Sequence, residues 1–327
     1  MSSRQAMRRR RFLIRATAFG IAALISKRAA VADTFPSKPI NFIIPFGTGG
    51  DFDVYGREFA HLLQKTIVPH VYVEPLNVPG AGGRKAIFDL LGDQPDGYNI
   101  SLVSVPGIFM DKYQGGGSLN LDSLTWLANL GRDPYAMGVS VKGPIHSVAD
   151  FQKISASRPV TFSNSGFASS GYLATRAFCD TAGIRCSIVS GYKGSSDSAV
   201  AVARGDVDAV VHSVSTLQGM AQAGLIRIVF VFEKTSSLPG IEDATTLNEP
   251  DLGEIAQWRP IAAPPSLPSR IATKLSTALV QTAKSKDTIA WADQTGATLW
   301  PLDQQQTLEM VHAQEALIQR WKSVLQG

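Results

Sequence analysis

A short apolar run that breaks into glycines and then into a helix constrains this chain more than any other stretch. Asn41-Phe42-Ile43-Ile44-Pro45-Phe46 reads as a buried strand, Gly47-Thr48-Gly49-Gly50 as a loop, and Val54 to Lys65 as a helix with Tyr55, Phe59, Leu62 and Leu63 along one face. At such a corner the first N–H groups of the helix lack internal partners and sit at the positive end of its dipole, which makes an anion site. Glycines let that backbone come close to a ligand. The plainer alternative is an ordinary turn in which Asp51 or Asp53 caps the helix.

The pattern repeats. Val71 to Glu74 reads as a strand, Asn77-Val78-Pro79-Gly80-Ala81-Gly82-Gly83 as a loop, and a helix follows through Ile87, Leu90 and Leu91. Asp96-Gly97 then turns the chain into the strand Tyr98 to Ser104. Strand–helix alternation at these spacings predicts a parallel sheet with ligand-facing loops outside the carboxyl ends of its strands, here 45–53, 75–83 and 104–110. After Gly115-Gly116-Gly117, two apolar runs, Leu124 to Leu130 and Ala136 to Val141, flank Asp133-Pro134 and carry the chain into a second unit. There strands are expected at Val160–Ser163, Cys186–Val189, Asp208–His212 and Ile226–Phe232, with helices at Ser170–Thr181, Ser198–Arg204 and Thr216–Ala223. Ile255 to Ala262 returns as a strand, and Asp303 to Leu325 as a long helix with Leu308, Val311, Leu317, Val324 and Leu325 as core positions. The expected fold is α/β in two domains, each a mainly parallel sheet flanked by helices, with a ligand cleft between them. Residues 33–135 form the first domain, 136–250 the second, and 251–327 return to the first.

Residues 1–32 stand apart. They hold 8 of the 31 basic residues and no acid, followed by a modest apolar segment from Leu13 to Ile25 and by Ala30-Val31-Ala32. This is an export signal cut after about Ala32; Arg9-Arg10-Arg11-Phe12-Leu13 and the late Lys27 and Arg28 favour the twin-arginine route, with the Sec route as the alternative. The remaining 295 residues carry 23 basic against 27 acidic side chains, so the apparent basicity belongs to the signal and gives no footing for nucleic acid.

The loops offer glycine, hydroxyls, Asn and Tyr, an inventory for binding a carboxylate through amides and hydroxyls. No G-x-S-x-G elbow supplies a nucleophile, neither glycine loop continues as a nucleotide fingerprint, and no cofactor is expected. His61, His70, His146, His212 and His312 are scattered without metal-site pairing, so each reads as a surface or hydrogen-bonded residue. Cys179 and Cys186 form a disulfide in an oxidising compartment or remain free and buried.

These features together resemble the periplasmic solute receptors of tripartite tricarboxylate transport, also called Bug receptors, from about Phe35 to the C-terminus. Phe35-Pro36-Ser37-Lys38-Pro39-Ile40, Pro45-Phe46-x-x-Gly49-Gly50-x-x-Asp53, Asn77-x-Pro79-Gly80-Ala81-Gly82-Gly83 and Asp96-Gly97-Tyr98 match the family's signatures in order. Gly166-x-x-Ser169 and Tyr192-Lys193-Gly194 fall where its opposing wall lies. The resemblance implies a type II-like periplasmic binding protein, a monomer that closes on a small organic acid and presents it to membrane permease subunits. It places ligand contacts at Phe46, Gly49, Gly50 and Asp53 on one wall, and at Ser163, Gly166, Ser169, Tyr192 and Lys193 on the other; Gly47, Thr48, Asp51 and Ser104 join the candidates by their place in the cleft-facing loops.

The chain departs from the family's pattern at Thr48, Asp51, Phe52, Val78, Ala168, Tyr172 and Gly191. Asp51 matters most, because a carboxylate beside an anion site opposes a second anion unless it is paired or the ligand carries an amine. The competing readings are an exported α/β enzyme, which requires Asp53 or Asp51 to have a raised pKa in the cleft, and a sensory ligand-binding subunit.

Overall fold

The computed structural model describes residues 35–113 and 119–326. The export signal and the Gly115-Gly116-Gly117 break lie outside the described residues. Among the described residues no helix is long and apolar enough to cross a membrane.

Strand β1 (Ile40–Ile44) leads into helix α1 (Asp51–Thr66), whose expected face, Tyr55, Phe59, Leu62 and Leu63, is buried. Burying one such side chain contributes roughly 1.5–3 kcal/mol. Neither acid caps the helix: Gly50 is the N-cap, and Asp51 and Asp53 occupy the first turn, where negative charge suits the helix dipole. Strand β2 (Val73–Asn77), helix α2 (Arg84–Gly92) and strand β3 (Asn99–Leu102) follow, and β2 and β3 both pair with β1 in parallel.

Strand β4 (Thr125–Ser140) departs from the sequence-based expectation, because the two apolar runs around Asp133-Pro134 form one 16-residue strand. The second unit then comprises α3 (Val148–Ser157), β5 (Val160–Asn164), α4 (Ser170–Thr181), β6 (Cys186–Ser190), α5 (Ser195–Arg204), β7 (Ala209–Ser213), α6 (Val214–Gln222) and β8 (Ile226–Val231). The chain returns through β9 (Ala256–Ala263), α7 (Ser269–Ala283), α8 (Lys286–Thr295), β10 (Leu299–Leu302), α9 (Gln304–Arg320) and α10 (Lys322–Gln326).

The long strand joins two sheets. Its first part lies between β9 and β10, and its second between β7 and β8, all antiparallel to it. Pro134 stands opposite Ala256 and Tyr135 opposite Ser213, so the proline falls where β4 leaves one sheet for the other. A residue without an N–H is tolerated where a ladder ends. Strands β5, β6 and β7 are mutually parallel, whereas β9 runs against both β3 and β4. Each sheet is therefore mixed where the chain crosses and parallel away from the crossing.

Two further points concern packing. A disulfide joins Cys179, in the last turn of α4, to Cys186 at the start of β6. In α9 the buried stripe is Thr307, Met310, Val311, Leu317 and Ile318, while Leu308, expected in the core, is exposed. Val311 and Leu317 are buried as expected, and at the start of the helix Thr307 takes the inward position in place of Leu308, its hydroxyl donating to the Leu302 carbonyl.

Candidate functional site

The loops at the carboxyl ends of β1, β3, β5, β6 and β7 meet around a narrow cavity of about 20 Å³, room for about one water. Phe46, Asp51, Phe52 and Ser104 line it from the first sheet's side, and Ser165, Ser169, Gly171, Ser195 and His212 from the second's. Tyr135 and Gln257 close its floor from the two strands at the crossing, β4 and β9. Three helices begin at this cavity: α1 with Asp51 and Phe52, α4 just after its N-cap Ser169, and α5 with Ser195. Helix N-termini carry the positive end of the helix dipole and favour negative charge; here the Asp51 carboxylate already lies among them, and the lining holds no cation.

The two walls touch directly. Gly47 N–H donates to the Lys193 carbonyl at 2.8 Å, Asp51 N–H to Ser195 Oγ at 2.9 Å, and Ser195 Oγ to Asp51 Oδ1 at 3.1 Å. Ser196 Oγ donates to the Gly49 carbonyl at 2.5 Å, and Gly107 N–H to Ser170 Oγ at 2.8 Å. The cleft is thus closed by protein contacts on both sides of the cavity.

Asp51 is paired rather than free. Its Oδ2 accepts from Arg259 Nη2 at 2.9 Å, and the same guanidinium nitrogen lies 3.6 Å from Asp133 Oδ2. Ser215 Oγ donates to that Asp133 oxygen. The Arg259 guanidinium, fully buried in β9, sits 4.1 Å from the Tyr55 ring centroid and 5.6 Å from that of Phe52. Burial alone would depress its pKa, but Tyr55, Asp51 and Asp133 together raise it above the ordinary arginine value. Burial pushes the Asp133 carboxyl up, with Arg259 opposing. Two carboxylates here share one cation, so the cluster leans acidic.

Asp53 does not line the cavity. Its carboxylate takes Gly49 N–H and Asn77 Nδ2, each at 2.8 Å, and Arg57 Nε at 2.8 Å. Burial would raise its pKa, but these partners outweigh it and hold the carboxyl below its ordinary value. It braces the loop and offers no general base of the kind the enzyme reading requires.

The other sequence-derived candidates divide in the same way. Phe46, Asp51, Ser104 and Ser169 come together at the cavity, whereas Gly49 and Gly50 line a second one of about 150 Å³ on the far side of Asp51. Ser163 is buried and donates to the Ser198 carbonyl at 2.9 Å, holding α5 against β5. Gly166 donates to Asn164 Oδ1 at 2.8 Å, shaping the loop before α4. Lys193 and Gly47 meet through their backbones, Tyr192 packs part-buried beside the second sheet, and Thr48 is exposed.

Arg259, Ser195, Tyr135, Gln257 and His212 were not singled out from sequence. His212 reads there as a surface or hydrogen-bonded residue, but its Nε2 is out of solvent without a hydrogen-bond partner among the described residues, and burial lowers its pKa despite the nearby Asp51. The available signal was its place at the end of an apolar strand, Ala209-Val210-Val211-His212, the position from which side chains reach a cleft.

A family model described as tripartite tricarboxylate transporter family receptor matches residues 56–327. Protein BugT of Bordetella pertussis (strain Tohama I) is 27% identical over 313 residues, 94% of this chain and 92% of that one. The structure of the periplasmic binding protein BugD superposes with a TM-score of 0.80 at 19% identity, over 89% of this chain and 98% of its own, a likeness of fold. R. palustris Rpa4515, solved with adipate, superposes with a TM-score of 0.77 at 26% identity, over 89% of this chain and 97% of its own. The match over most of its length makes this chain a member of the tripartite tricarboxylate transporter receptor family.

Proposed function

We propose that the protein is an exported solute receptor that captures a small carboxylate between its two walls and delivers it to a tripartite tricarboxylate-type membrane permease. The observation that carries this reading is the meeting of three helix N-termini at one cavity, with the Ser165 hydroxyl beside them; Ser169 and Ser195 give their protons to Asn164 and Asp51 and brace the walls. Such a set holds a carboxylate by charge-assisted hydrogen bonds, each contributing on the order of 1.5–3 kcal/mol. Direct bonds between the walls hold the cleft shut around room for about one water, so taking up an acid requires the walls to part and close again around it. Asp53 is spent on bracing the glycine loop, which leaves no observation in favour of chemistry there.

A thermal-shift screen of the purified protein against mono-, di- and tricarboxylates tests this. At about 100 times its Kd a ligand selective for the native state stabilises by about 2.7 kcal/mol, so one or more acids are expected to raise the melting temperature in a concentration-dependent way. A flat response across the whole panel contradicts the proposal.

A further inference from the structure

Within the carboxylate-receptor reading, the cavity's polar groups are unequally occupied. Tyr135 donates its hydroxyl to Gln257 Oε1, and Ser169 Oγ donates to Asn164 Oδ1 at 2.9 Å. Ser104 Oγ lies 3.2 Å from Ser170 Oγ, and Ser195 is bonded to Asp51. Two lining groups are left over among the described residues: the Ser165 hydroxyl, and His212 Nε2, an atom out of solvent on a half-buried side chain. A buried polar atom left unpaired is costly, so a ligand group that bonds to it gains affinity by ending that cost.

Charge narrows the choice further. Asp51 lines the cavity, and each of its oxygens has one partner, Ser195 on Oδ1 and Arg259 on Oδ2, leaving acceptor capacity on a carboxylate with about four lone-pair sites. It can accept a hydrogen bond from a hydroxyl or an ammonium group. A second carboxylate there would face Asp51 and, behind it, Asp133, with only Arg259 to balance them, and that guanidinium is not part of the cavity lining.

We propose that His212 and Asp51 read the second polar group of the ligand, so that the pocket takes a small monocarboxylate bearing a hydroxyl or amino group in preference to a dicarboxylate. This inference rests on the carboxylate-receptor reading, with the helix N-termini holding the single carboxylate. His212 and Asp51 come from opposite walls, so both reach the second group only when the walls close around the acid, further apart than the one-water gap between them here. Phe46 and Phe52, packed on each other with ring centroids 4.8 Å apart, form the apolar part of the lining.

Calorimetric titration of the purified protein with lactate, 3-hydroxybutyrate and β-alanine, against malonate, succinate and adipate, with butyrate as the acid lacking a second polar group, tests the inference. At least one hydroxy or amino acid is expected to bind ten times more tightly than every dicarboxylate. His212→Ala should weaken that acid about tenfold and leave butyrate unchanged. Asp51→Asn should narrow the preference over succinate. A dicarboxylate that binds as well as or better than the hydroxy and amino acids overturns this inference and leaves the receptor reading standing, as does an equal loss of butyrate affinity in His212→Ala. Failure of every acid to bind overturns both.

Discussion

The two walls of the cleft are held in place by different means. The wall at the end of β1 brings two aromatic rings and a carboxylate to the cavity, and its key side chain, Asp51, is fixed by Arg259 from a strand 208 residues further along the chain. The wall at the ends of β5 and β6 brings small hydroxyls, and these are fixed locally: Asn164 Oδ1 takes both Gly166 N–H and Ser169 Oγ within five residues. One wall depends on a buried ion cluster at the crossing between sheets, and the other on helix caps. Damage to the first should therefore reach stability and selectivity together, whereas damage to the second should reach ligand affinity with less effect on the fold.

The largest effect is expected from Arg259→Met. It leaves Asp51 and Asp133 without their cation, and removing one partner of a buried pair costs roughly 3–5 kcal/mol. Urea denaturation of the variant should show a midpoint lowered in proportion, and an unchanged midpoint would detach the first wall from this cluster. Next comes Gly107→Ala. A Cβ at Gly107 would run into the Ser170 backbone across the cleft, so the walls cannot close fully; the affinity for the acid found by thermal shift should fall at least tenfold, while far-ultraviolet circular dichroism stays that of the wild type.

Gly50→Val follows with a smaller loss. The added Cβ would meet Ser195 Oγ at 3.0 Å, and a backbone φ of −86° accepts valine without strain. Affinity should drop several-fold with an intact melt, and unchanged affinity would remove this contact from the closure. The smallest effect is pH dependence at His212. Its pKa is lowered by burial, so as pH falls the unfolded chain takes up the proton first, and stability declines below about pH 6.5 toward the depressed folded value. His212→Gln should flatten that part of a stability–pH curve, and a variant curve that keeps the wild-type slope would assign the decline to other groups.

How much of this was legible in the sequence follows from how far apart the partners lie. The corner at residues 41–65 was readable because strand, glycines and helical stripe are local signals, and the buried Tyr55, Phe59, Leu62 and Leu63 appear as expected. The continuity of β4 was hidden by Pro134, which reads as a break until the change of sheet at that residue is known. The doubt over Asp51 was readable as a charge in the wrong place, but its resolution was not, since nothing near Arg259 in the sequence marks it as the partner. Asp53 was assigned to the ligand because the family motif includes it; the bonds from Gly49, Asn77 and Arg57 instead give it to the loop.

Backbone hydrogen exchange, measured with and without the acid that gives the largest thermal shift, tests the central claim most directly. Capture between the walls predicts slower exchange at the starts of α1, α4 and α5 together, at Gly50–Asp53, Ser169–Gly171 and Gly194–Asp197, in step with saturation. Protection confined to one wall, or found elsewhere on the molecule, would contradict a ligand held between them.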